Sequence, residues 1–429
     1  MDGQDGSGNG ISGKWYTQAK NCLSVLERVC AALDNGSPVD RTLANIYRQN
    51  RCYGSRDKQF FYLVIYAYFR WRGWLKKAYP AADVPLEQQL LAALAAEGAD
   101  PLPMGALPWA ERYGKITEAL RFPTAAERFE YFSSCPVSDP DLIPDTALRS
   151  LAPGGETRFV PFLKTRSPQW VRVVADHLEE VTAQWRENGL TYQRHALISN
   201  AFCFFNERVR FDNMTTWQRG FFEIQDFSSQ CIGLAAAAKA GEHWFDPCAG
   251  GGGKSLQLAD QVGRKGTVSV YDIRNFKLDT LQKRADRTPF GKRIRREKSF
   301  SPEGKLFDGV LLDAPCSSSG RWRRDPESRW SGVEQKITEI TDLQYDLLCK
   351  AAQSVRPGGV LIYGTCSVFA EENELLIKRF LSEHGDLFSP EAFPSPHTGE
   401  MVKNGMLQTF PADSDCDGSF AARLRKKEV

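Results

Sequence analysis

Asp246-Pro247-Cys248-Ala249-Gly250-Gly251-Gly252-Gly253-Lys254-Ser255 is the stretch on which the reading of this chain turns. An apolar pair, Trp244-Phe245, precedes it, and a helical pattern from Leu256 to Val262 follows, so it reads as a strand-to-helix turn. Four consecutive glycines keep side chains away from whatever lies against the backbone and permit the positive φ angles of a tight turn. Backbone N–H groups there, facing the positive end of a helix dipole, make a seat for an anionic or polar ligand. A linker could be equally glycine-rich, but an apolar strand and an amphipathic helix do not usually bracket a linker.

Downstream the alternation is regular. Strands are expected at His243–Asp246, Thr267–Tyr271, Phe307–Leu312 and Val360–Tyr363. Helices are expected between them at Ser255–Val262, Phe276–Asp286 and Val333–Val355, the last ending at Pro357-Gly358-Gly359. This is the pattern of an α/β, doubly wound parallel sheet, which binds ligands beyond the C-terminal ends of its strands. Four unusual polar peptides fall at such ends: the glycine run, Tyr271-Asp272-Ile273-Arg274, Asp313-Ala314-Pro315-Cys316-Ser317-Ser318-Ser319-Gly320 and Gly364-Thr365-Cys366-Ser367.

Upstream the chain is different. Residues 1–13 are polar and Gly-rich and read as a disordered tail. Residues 14–140 read as all-helical, with Gly54-Ser55-Arg56-Asp57 opening a long aromatic helix and further helical character over Glu87–Ala95 and Trp109–Phe122. Prolines from Pro136 on mark a connector, and residues 141–222 read as a small α+β module, leaving 223–429 for the sheet. The 429 residues carry 55 Lys+Arg against 53 Asp+Glu, so a polyanionic partner would be met by local basic patches. The 11 cysteines lack metal-type pairing and suit a reducing compartment; no metal site is expected. No signal peptide and no membrane-spanning run is evident, and the expected location is cytoplasmic.

Two spacings exclude phosphate nucleotides from the loop. A P-loop needs glycine where Cys248 stands, and the dinucleotide pattern needs a third glycine where Ser255 stands. What remains is an acid at each of two neighbouring strand ends, Asp246 and Asp272, around a glycine turn. Asp272 can accept hydrogen bonds from ribose hydroxyls, or it can simply cap the helix that follows. The ribose reading suits an adenosyl ligand without pyrophosphate, and S-adenosylmethionine is the expected cofactor. Cys316 and Cys366, both after strands and close to Asp313, point to one chemistry. Carbon 5 of a pyrimidine becomes nucleophilic only after a thiolate adds at carbon 6, and the site should therefore lower one thiol's pKa. Spacing does not say which cysteine attacks.

At these residues the chain resembles the Nop/Sun family of RNA cytosine-C5 methyltransferases, from Gln225 to the C-terminus. The carrying motifs are Gln225-Asp226-Phe227-Ser228-Ser229-Gln230, the glycine run, Asp313-Ala314-Pro315-Cys316-Ser317, Arg323-Arg324-Asp325-Pro326 through Arg329-Trp330, Leu343-Gln344, Tyr363 to Ser367, and Glu372-Asn373-Glu374. The resemblance implies a Rossmann-like methyltransferase domain in which Cys366 is the nucleophile, Cys316 assists release, and Asp313 contacts the cytosine edge. Asp246, Cys248, Ala249, Gly250, Gly251, Gly252, Lys254, Asp272 and Asp313 are the expected cofactor-binding residues. Gly54 to Lys58 and the helix after them are similar to a NusB-like RNA-binding domain. That layout implies ribosomal RNA, 16S, as partner, and a monomer. Transfer RNA as substrate, or a vestigial RNA-binding assembly factor, are the alternatives. Arg323, Arg324, Arg329 and Trp330, with Arg321-Trp322, combine charge and aromatic faces as RNA contacts do. Lys292-Arg293-Ile294-Arg295-Arg296 reads equally as a solvated face. Three departures stand out. Gly250-Gly251 replace Ala-Pro, no Asp lies between Arg287 and Lys305 to read the adenine (leaving Glu297 or a backbone group), and Ser318-Ser319 stand where the family has more glycine.

Overall fold

The computed structural model describes residues 12–80, 84–205 and 209–428; most of the tail expected at 1–13 lies outside them. The chain divides into two units, Met1–Leu148 with Asp325–Gly332, and Arg149–Arg324 with Val333–Val429.

The first unit is helical. Its long helices are Gly13–Asp34, Val39–Gln49, Ser55–Ala78 and Leu86–Glu97. The Ser55–Ala78 helix starts where the Gly54 N–H donates to Asp57 (2.9 Å) and carries Phe61, Phe69, Trp71 and Trp74, all buried. Leu86–Glu97 is apolar on every side because it is buried on every side, from Leu90 to Ala96, and it ends at left-handed Gly98 (φ 70°). The helical pattern expected over Trp109–Phe122 is broken at Gly114 (φ 62°) into Leu107–Tyr113 and a single turn, Ile116–Ala119.

The second unit contains two larger sheets. The smaller is antiparallel, ordered β2-β3-β1-β4, from β1 (Gln169–Val173), β2 (Gln193–Arg194), β3 (Ala201–Phe204) and β4 (Phe222–Ile224). The helix Leu178–Glu187 covers it through Trp185, fully buried among Tyr192, Phe202, Phe204 and Phe222.

The larger sheet holds β5 (His243–Asp246), β6 (Thr267–Val270), β7 (Ile294–Arg296), β8 (Phe307–Asp313), β9 (Val355–Thr365) and β10 (Phe388–Pro390). After a short pair, β11 (Phe393–Pro394) and β12 (Met401–Val402), come β13 (Met406–Thr409) and β14 (Ser419–Lys426). Its order is β10-β14-β9-β8-β5-β6-β7, with β13 also on β14; β5 to β9 are parallel and β14 is antiparallel to β9. The chain runs outward from β5 to β6 and β7, then returns to β8, so the switch point falls between β5 and β8. Helices Phe227–Ala236, Gly253–Gln261 and Asn275–Arg287 pack on one face through Ile232, Leu256, Leu278 and Leu281. Helices Ile337–Gln353 and Glu374–His384 pack on the other through Leu348, Ile377 and Phe380. This is the expected Rossmann-like α/β architecture.

Several boundaries differ from expectation, most by one or two residues, and the largest shifts are at the helix expected over Val333–Val355, which starts at Ile337, and at β9. The helix expected to reach Val355 stops at Gln353, and β9 starts two residues later and runs through Pro357-Gly358-Gly359. A register shift between Phe307 and Gly309, with Gly358 at φ 68°, accommodates the proline-glycine stretch inside the strand. The run Lys292–Arg296 is largely edge strand β7, where Arg293 and Arg296 donate to the helix carbonyls of Ala259 and Leu278.

Candidate active site

The glycine run leaves β5 at Asp246, which is 1% exposed. Its carboxylate accepts from the Ser255 hydroxyl (2.6 Å) and the Cys248 N–H (3.2 Å), joining both ends of the loop. Burial pushes the Asp246 carboxyl up to about 7. It braces the loop from below. Gly252 has φ 86°, and a Cβ there would fall 2.5 Å from Leu281 Cγ, so only glycine fits. Beside it, a Cβ at Gly253 would meet nothing within 4 Å. That opening sits at the N-terminus of the helix Gly253–Gln261. The loop is stitched to the next strand end by Ala249 N–H to Tyr271 O and Gly250 N–H to Asp272, both 2.9 Å.

Asp272 does not cap the following helix, whose N-cap is Arg274. Its carboxylate accepts from Gly250 and from the Arg274 backbone N–H and guanidinium (2.9–3.1 Å). Burial alone would raise this acid, but the Arg274 contacts outweigh burial and hold it below the usual carboxylate range.

The two cysteines meet. In the parallel β8–β9 pair Asp313 lies opposite Gly364, so the loops after each strand run side by side. Cys316 Sγ and Cys366 Sγ are 3.2 Å apart. The contact splits them. The hydrogen bond from Cys316, with smaller help from Ser318 and Lys254, holds Cys366 below the ordinary thiol value; the same contact and then burial hold Cys316 well above it. Lys254 reaches from the glycine loop to Asp313 (2.8 Å). Burial works to lower the ammonium, but Asp313 outweighs it and Lys254 is held above its usual value.

A buried polar scaffold fixes both loops. Glu372, 0% exposed, accepts from Ser367 Oγ (2.6 Å), Ser317 N–H (2.9 Å) and Gln344 Nε2 (2.8 Å), and Gln344 also donates to Pro315 O (2.9 Å). Asn373 donates to Ser367 O (2.9 Å) and accepts from Thr365 Oγ1 (2.6 Å). Sequence reading recognised these residues as motif members without a role; their buried polarity only becomes visible in the fold.

Cys366, Lys254 and Asp313 line a cleft of about 350 Å³ whose other walls include Trp170, Ile224, Arg321 and Arg324. Cys248, Ala249, Gly250, Gly251 and Gly252 form the adjoining loop. The expected RNA residues are spread out. Arg324 lines the cleft while paired with Asp226 and Asp417 (3.1 Å each). Arg323 is 4% exposed and donates to Thr165 Oγ1 and Arg166 O (3.0 and 2.9 Å) besides pairing with Asp415. Arg329 and Trp330 belong to the helical unit, where fully buried Arg329 donates to Arg70 O (3.1 Å) and Trp330 to Phe69 O (3.3 Å). Glu297 is taken by Ser269 Oγ (2.8 Å) and Lys305 (2.8 Å).

Comparison with known proteins agrees with this geometry. Residues 234–425 match the family described as 16S rRNA methyltransferase RsmB/F. A protein named "Probable ribosomal RNA small subunit methyltransferase B" from Bacillus subtilis (strain 168) is 33% identical over 222 residues, 49% of this chain and 49% of its own length. Ribosomal RNA small subunit methyltransferase B of Erwinia tasmaniensis is 31% identical over 278 residues, 61% of this chain and 60% of its own length. The chain thus spans about half to three-fifths of the curated relatives it matches. Among solved structures, PH0851 superposes with a TM-score of 0.68 at 22% identity over 93% of this chain and 98% of its own. NSun6 from Pyrococcus horikoshii does so with 0.56 at 17% identity, over 66% and 98%; both likenesses speak to the fold. Over residues 234–425 the chain is thus similar to the RsmB/F methyltransferases, and its ordered motifs resemble those of the Sun/Fmu kind.

Proposed function

We propose that this chain transfers the methyl group of S-adenosylmethionine to carbon 5 of a cytosine in RNA, with small-subunit ribosomal RNA as substrate. The observation that carries the reading is the thiol pair, 3.2 Å apart at the C-terminal edge of the sheet, with Cys366 the more acidic of the two. S-adenosylmethionine supplies an electrophilic methyl group. The open position at Gly253, the bracing acid Asp246 and the strand-end acid Asp272 suit its adenosyl and methionine parts. Arg274 must release Asp272 for the ribose to take its place.

Cys366, as thiolate, adds to carbon 6 of a cytosine turned out of its stack. The displaced electron pair makes carbon 5 nucleophilic, and carbon 5 takes the methyl group. A base removes the carbon-5 proton, the ring double bond re-forms, and the bond to Cys366 breaks to return the thiolate. Cys316 assists that release. Asp313, held by Lys254, accepts a hydrogen bond from the exocyclic amine that distinguishes cytosine from uracil. Arg324, with Arg321 beside it, meets phosphate at the cleft mouth. The helical part up to residue 140, NusB-like, binds RNA, and residues 141–222 connect it to the methyltransferase part.

The test is methyl incorporation into small-subunit ribosomal RNA by the full chain. Cys366→Ala should lose it, and Cys316→Ala should accumulate a covalent protein–RNA adduct on a denaturing gel. Full transfer by Cys366→Ala refutes the mechanism.

A further inference from the structure

Ser318 follows Cys316-Ser317, and its backbone adopts the left-handed conformation that glycine takes without strain (φ 57°, ψ 23°). A serine there needs a reason. Its neighbours Ser317 and Ser319 are buried and spend their hydroxyls on each other and on Ser367 (3.0–3.2 Å). Ser318 is half-buried, and its hydroxyl faces Cys366, with Oγ 3.5 Å from Sγ. The other groups acting on that sulfur are the Cys316 thiol, the Lys254 ammonium and, opposing them, Asp313.

We propose that Ser318 is a catalytic residue of this chain: its hydroxyl donates a hydrogen bond to the Cys366 thiolate, both before the sulfur adds to the base and again as the carbon–sulfur bond breaks. The inference rests on the methyl-transfer reading above. While Cys366 is protonated the thiol donates to the hydroxyl; once the proton leaves, the hydroxyl rotates and becomes the donor, since a thiolate can only accept. A hydrogen bond to a charged sulfur is stronger than one to a neutral thiol, so the contact favours the thiolate. Glycine at this position would relax the backbone and leave the sulfur with one donor fewer. The serine exchanges backbone comfort for acidity at the nucleophile.

The experiment follows alkylation of Cys366 by iodoacetamide against pH, read by mass spectrometry of the peptide that carries it, in the full chain, Ser318→Ala and Ser318→Gly. Glycine suits the backbone angle, so that variant should fold at least as well as the parent. In both variants the midpoint should rise, with about three- to tenfold less thiolate below it. The kcat for methyl transfer should fall by a similar factor at unchanged KM for RNA. An unmoved midpoint in both variants overturns the proposal, and so does a shift in the glycine variant alone, which would trace the effect to the backbone. Absence of methyl transfer in the parent chain refutes the reading of the function, and is seen separately from the alkylation profile.

Discussion

At the scale of single residues, proximity does the chemical work. Each cysteine titrates as it does chiefly because the other sits 3.2 Å away: once one thiol has lost its proton the other donates to the thiolate, so the first proton leaves more readily and the second is held. Lys254 adds a smaller favourable charge near Cys366 and holds Asp313, whose own charge opposes the thiolate. Lys254→Met should therefore raise the Cys366 midpoint and reduce methyl transfer about 100-fold or more. Its stability should change little, because the Asp313 side chain is 32% exposed and water can replace the lost partner. Glu372 behaves in the opposite way. Fully buried and accepting three donors, it cannot be replaced by water, and Glu372→Ala should cost about 3 kcal/mol or more, seen in a chemical melt.

At the scale of elements, the glycine loop separates folding from binding. Gly252→Ala forces a positive φ on alanine and drives its Cβ into Leu281, a combined cost of about 2–4 kcal/mol. Gly253→Ala meets open space at the first turn of a helix, so melting should be unchanged or raised by up to about 1 kcal/mol. If that space seats the cofactor, calorimetry should show Gly253→Ala binding S-adenosylmethionine at least about tenfold more weakly, though it is well folded. Unchanged affinity would remove the loop's proposed ligand. The loop was readable from sequence because glycine runs, strand-end acids and helix starts are local signals. The arginines around Pro326 were not. Their charge and aromatic neighbours match RNA contacts, yet Arg323 and Arg329 are buried and serve packing, which no local pattern distinguishes from exposure.

At the scale of the molecule, the segment before β14 is held by a partly buried polar chain. His397 meets Ser414 Oγ (2.9 Å), Thr409 Oγ1 (3.1 Å) and Cys231 Sγ (3.6 Å), and Ser414 also meets His195 (3.2 Å). Burial lowers His397 from 6.5 to about 4. The unfolded chain then takes up a proton below pH 6.5 that the folded chain refuses, so this contribution is present above that pH and is lost as pH falls towards 4. Asp246 and Asp226, raised by burial to about 7 and about 6, act in the opposite sense, contributing stability at low pH that is lost as pH rises. The net slope is thus a difference, and comparison with His397→Asn isolates the histidine. That variant should lack about 2 kcal/mol of acid destabilisation across this window, read as melting temperature against pH.

The alternation of strand and helix after residue 240, and the reactive residue types at the strand ends, were determined by sequence alone, since period, turn residues and side-chain chemistry are local properties. The antiparallel strand β14 was hidden by Arg423 and Arg425, whose charges are met by Glu391 and by the carbonyls of Ala235, Ala236 and Gly358, from other parts of the chain, once the sheet has formed. Which thiol is acidic, that Asp246 braces the loop, and that a serine hydroxyl faces Cys366 all depend on distances between segments about 10 to 50 residues apart in sequence. Those distances exist only after the sheet brings its strand ends to one edge.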